Sequence, residues 1–98
     1  MIDAFAHSPS NTNFIIETNV GFNESMIDFA KMAILLAFSE YPTNDYKKCE
    51  MISIKFEERY EGEWGTSIIK DGDSCFVYHE YCITMKYQGY KIKINKTQ

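Results

Sequence analysis

From Trp64 to Gly89 the chain reads WGTSIIKDGDSCFVYHEYCITMKYQG, short runs rich in Ile, Val, Phe, Tyr and Thr broken by turn formers. Such residues fit a pleated, half-buried surface, and Asp71-Gly72 between two of the runs is the strongest short-range turn signal in the sequence. Strands are expected at about 66–70, 74–80, 82–88 and 90–95, so a sheet is the centre and the rest of the chain must pack on it. Gly89 alone separates the last two, which demands a tight or bulged turn. Tyr90, Ile92 and Ile94 alternate with Lys91, Lys93 and Asn95, the pattern of a strand with one face in water.

Two helices are expected before the sheet. The first, from about Ser25 to Tyr41, has Asn23 or Ser25 as N-cap and Asp28 in its first turn, where negative charge suits the helix dipole. It is apolar over most of its circumference, so it should be covered on several sides. Pro42 stops it. The second, about Tyr46 to Glu61, places Cys49, Ile52, Phe56 and Tyr60 on one stripe, with Lys47, Lys48, Glu57 and Glu58 outward, and Gly62 ends it. Phe14 to Thr18 suits a further short strand. Residues 1–13 hold Ser8-Pro9-Ser10 and Asn11-Thr12-Asn13 without any period, and are expected to be a mobile N-terminal arm before one domain over 14–98. The expected class is α+β, two helices packed on a mainly antiparallel sheet of four or five short strands.

A chain of 98 residues supports one modest core, which a partner would help to complete. Its net charge of −4 argues against nucleic acid, which needs a basic stripe to neutralise phosphates. The longest apolar run, Met32 to Phe38, is far short of a membrane span, and no leader pattern is visible at the N-terminus. Cys49, Cys75 and Cys82 form no C-x-x-C pair and leave one over in any disulfide scheme, so a reducing, intracellular setting is expected.

The segment Phe56-x-x-x-Tyr60-x-x-x-Trp64, with Ser74 ten positions on, then Tyr87 and Gly89, resembles the smallest class of cytoplasmic dynein light chain. The resemblance runs from Asn23 to Lys96 with about one inserted residue near Asn44. Lys70, Ser74 and Tyr78 match the stretch that follows the family's Trp, whereas the family's Phe-Gly pair is missing and Gly65 stands where the family has His. His79-Glu80 offers a second register one residue along, and the residues alone do not choose between the two.

The resemblance implies a non-enzymatic, cofactor-free adaptor of cytoplasm and cytoskeleton. It would homodimerise by exchanging the strand Ser74 to Tyr78, and bind short linear peptides, from dynein intermediate chain or other clients, as an added strand at the sheet edge. By the same resemblance Lys70, Ser74, Cys75, Phe76, Val77, Tyr78 and Tyr87 line the peptide groove, and Gly65, Ser74, Phe76 and Tyr78 form the dimer interface. Ser74 also reads as a plain strand start, Tyr87 as core or cross-strand packing, and Trp64 as a structural anchor. An Asp71-Gly72 hairpin would pair the exchanged strand at home and leave a monomeric domain without a working groove. Without the interface His, a dimer should also lack the family's acid-driven dissociation. Flatworm surface-layer proteins, in which light-chain-like domains are joined to EF-hands, are another setting the resemblance allows.

No catalytic or metal site is expected. Cys75 and His79 lie on one strand face but about 13 Å apart at the usual rise, beyond hydrogen-bond reach. Asp71-Gly72-Asp73-Ser74 resembles the start of a calcium loop, yet loop position twelve, which needs a bidentate Glu, falls on Cys82.

Overall fold

The computed structural model describes residues 14–69 and 80–97. In chain order these form β1 (Phe14–Val20), α1 (Glu24–Glu40), α2 (Asp45–Arg59), β2 (Trp64–Ile69), β3 (Cys82–Tyr87) and β4 (Tyr90–Lys96). The arm 1–13, the Asp71-Gly72 turn and positions 74–79 of an expected strand lie outside the described residues.

The boundaries follow local chemistry. Asn23 caps α1, its side chain accepting the Met26 backbone N–H at 2.9 Å, and Asn44 caps α2 by accepting that of Lys47 at 3.0 Å. Gly62 takes φ +99° just past the end of α2, a backbone that side chains disfavour. Between β3 and β4 the turn has two residues, Gln88 at φ 51° and Gly89 at φ 82°. Positive φ at both central positions is the hairpin turn whose twist matches its strands, so Gln88 belongs to the turn and not, as expected, to the strand.

All pairings are antiparallel and the sheet order is β1-β3-β4-β2. Thus β3 and β4 are central, while β1 and β2 are the margins of the described sheet. One face carries Ile83, Met85, Tyr87, Ile92 and Ile94, packed in one core with Ala30, Ala33, Ile34 and Ala37 of α1 and Ile52 and Phe56 of α2. Alternation in β4 is as expected, with Ile92 and Ile94 buried, but Lys91, Lys93 and Asn95 are half-buried and not fully wet. Lys91 is held there by Glu17 of β1 at 3.1 Å.

Two features of the helices differ from the expectation. Although α1 is apolar nearly all round, Met32 and Leu36 are 40% and 42% exposed, so its covering is incomplete. Four positions apart, they share one side of the helix, while its alanines face the core. Lys48, expected to face outward, is only 1% exposed. It stands four residues before Ile52 and eight before Phe56, on the core stripe of α2. Its Nζ lies 4.8 Å from the Phe38 ring centre and 5.2 Å from that of Tyr90, and donates to the Pro42 carbonyl at 3.1 Å and Asp45 Oδ1 at 2.9 Å. A lysine can bury its stem at this position because the ammonium finds those partners.

Candidate functional site

β2 pairs with β4 through six consecutive positions, Trp64↔Lys96 to Ile69↔Lys91, without a register shift. On its other side no described strand pairs with it. An open strand margin presents backbone donors and acceptors, which makes it the natural place for another chain to add.

α2 runs beside this margin in a matched register. The Ile68 backbone N–H is directed at the Cys49 thiol, Ser53 Oγ donates to Thr66 Oγ1 at 2.9 Å, and the Trp64 N–H donates to Glu57 Oε2 at 3.2 Å. Helix steps of four thus meet strand steps of two, because about 6.0 Å of helix rise nearly equals about 6.6 Å of strand. Glu57, expected merely to face outward, is exposed and also holds the first residue of β2. The stripe Cys49-Ser53-Glu57 escaped the sequence reading, which followed the apolar residues; identical spacing of four was its only signal. Between helix and strand lies an open depression of about 270 Å³ lined by Tyr46, Cys49, Glu50, Ser53, Gly65 and Thr66.

Of the residues expected at a peptide groove or dimer interface, Gly65 lines this depression. Tyr87 is on β3, separated from β2 by β4, and is buried, stacked on Phe14 at 4.6 Å and meeting Phe38 edge-on at 5.1 Å. Lys70, Ser74, Cys75, Phe76, Val77 and Tyr78 lie outside the described residues. Trp64 is buried in the core, with its indole N–H donated to the Glu61 carbonyl at 3.1 Å and its rings against Phe22, Phe56, Tyr60 and Tyr81.

Burial raises the Cys49 thiol above its ordinary pKa, against a smaller opposing effect of the Ile68 N–H, so the thiol is protonated at neutral pH and poorly nucleophilic. Among the described residues no group of His, Cys, Asp or Glu could hold a metal ion. No described helix is long and apolar enough to cross a membrane.

No family model and no curated protein matches the sequence. Among solved structures, the chain is similar to the dynein light chain-like domain of the Fasciola hepatica calcium binding protein FhCaBP2, in a mercury derivative, with a TM-score of 0.74. Identity is 12%, over 89% of this chain and 94% of that one. The fold is thus dynein light chain-like: two helices and a four-stranded antiparallel sheet.

Proposed function

We propose that the chain is a non-enzymatic interaction module in which two copies associate by adding the strand Ser74 to Tyr78 of each to the outer margin of the other's β2, and that short, extended peptide segments bind as a further strand in the groove beside it. The straight margin of β2, which no described strand pairs, carries this reading. Backbone groups supply affinity for an added strand, and the depression beside Gly65 supplies room for a client side chain. The light-chain-like fold agrees with a dimeric adaptor for motor subunits or cargo proteins, and two grooves would raise avidity for a paired client.

One observation favours a second reading. The side chains of Glu57 and Cys49 already engage the N–H groups of Trp64 and Ile68, so part of the margin is satisfied within the chain. A monomeric domain of the same fold, without a working groove, follows if these contacts and an Asp71-Gly72 hairpin prevail.

Multi-angle light scattering at several concentrations, with and without a generic light-chain client peptide, separates the two. Twice the chain's 11.4 kDa, with peptide uptake, supports the module. A persistent monomer that takes no peptide refutes it. With Gly65 standing where light chains have their interface His, the dimer mass should be unchanged from about pH 7 to pH 5, across the usual histidine range.

A further inference from the structure

A second depression, of about 330 Å³, lies away from the β2–α2 groove and is lined by Met26, Arg59, Tyr60, Trp64, Tyr81 and Lys96, together with Glu61. Three separate connections assemble it. The sheet register sets Lys96 opposite Trp64, the Lys96 backbone N–H donates to the Tyr81 carbonyl at 3.0 Å, and the Trp64 indole ties the strand to the end of α2 through Glu61. The Lys96 stem occupies the space left by the missing side chain of Gly62, where a Cβ would collide with Lys96 Cε.

The walls are largely aromatic, and two positive residues, Arg59 and Lys96, stand in the lining with one acidic residue, Glu61. Lys96 Nζ stands 5.5 Å from the centre of the Tyr81 ring, and the Arg59 guanidinium 5.1 Å from that of Tyr60. Arg59 joins no ion pair among the described residues, and Lys96 has only a 3.8 Å approach to Glu80, itself mostly exposed. The Tyr60 hydroxyl is buried and has no hydrogen-bond partner among the described residues.

We propose that this depression binds a small planar aromatic anion, its ring against Tyr81 beside the buried Trp64, and its acidic group between Arg59 and Lys96. Ring faces supply apolar area with a preferred geometry, and the two cations supply charge-assisted hydrogen bonds to a carboxylate or a related acid. A cationic ligand would meet Arg59 and Lys96 as like charges.

The chain has a single Trp and a single Arg, so the Trp64 indole N–H and the Arg59 Nε–H each give one assignable NMR signal. In a titration of the ¹⁵N-labelled chain with 2-naphthoate, both signals should move along one saturable curve. The neutral 2-naphthalenemethanol should bind about tenfold more weakly, as expected for loss of a charge-assisted hydrogen bond, and acetate, lacking the ring, more weakly too. Arg59→Gln and Lys96→Gln should each weaken naphthoate severalfold without changing the alcohol, while Lys96→Arg should retain binding and guards against a merely structural effect. Equal affinity for naphthoate and the alcohol, movement of neither signal up to the solubility limit, or unchanged naphthoate affinity in both Gln variants would overturn the assignment.

Discussion

The two margins of the sheet are protected by opposite means. β1 breaks its own register between Ile16 and Thr18, and Glu17 at the break reaches Lys86 at 3.4 Å and Lys91 at 3.1 Å. A bulge with a charge in it discourages another strand from adding, which lets Ile15 and Ile16 remain 62% and 41% exposed. β2 has no charged residue and no bulge; its guard is a helix that supplies Glu57, Ser53 and Cys49. A bulge within the strand itself guards one margin, whereas side chains of a neighbouring helix cover the other. This difference favours β2 over β1 as the margin for the proposed strand addition.

Several substitutions would break or sharpen the contrast. Trp64→Ala should have the largest effect, about 3–5 kcal/mol of stability by urea unfolding, because it empties the site where β2 meets the core. A loss below about 1 kcal/mol would show that β2 is not held through its first residue.

Next in size is Thr84→Val, beneath β1. Thr84 Oγ1 accepts the Thr18 backbone N–H at 3.1 Å and lies 2.6 Å from the Thr18 hydroxyl, and Thr84 is fully buried. Removing that oxygen should cost about 1–3 kcal/mol and speed amide exchange in β1 more than in β2. Equal acceleration in both strands would mean that the margins are not independent.

Ser53→Ala should cost less, about 0.5–1.5 kcal/mol, since the pair with Thr66 is only partly buried. If the helix guards the groove, this variant should also take up a client peptide at least as well as the parent chain.

The smallest effect concerns acid. The hydrogen bond from Lys91, with help from the charge of Lys86, holds the Glu17 carboxyl below its ordinary pKa. A lowered carboxylate pKa contributes stability that is fully present above the unfolded-state value and is lost as pH falls through the folded-state value. Glu17→Gln should therefore lower the thermal midpoint slightly at neutral pH and flatten its fall below about pH 4.5, the two chains converging in acid. An unchanged acid slope would show that this ion pair does not guard β1.

Much of the fold was legible because it is written locally. Asn23, Pro42, Gly62 and Gly89 punctuate the elements through cap, ring and φ preferences, and alternation in β4 fixed which of its residues turn inward. The candidate site was less legible. Gly65 could be singled out, but the segment from Lys70 to Tyr78, which carries most of the expected groove, lies outside the described residues. Lys48 misled because an ammonium reads as outward until Phe38, Tyr90, Pro42 and Asp45 are brought around it.

The sequence by itself determined the α+β class, the approximate bounds of most described elements and the inward residues of β4, since capping, turn chemistry and period act between near neighbours. Only the tertiary structure decided that β1 joins β3 and not β2, that a lysine is buried, and that one margin is closed by a bulge while the other is left to a helix. Such choices rest on partners as far apart in the chain as Thr18 and Thr84. Any strand margin offers similar backbone groups, so side-chain packing across the sheet, not local preference, selects among them.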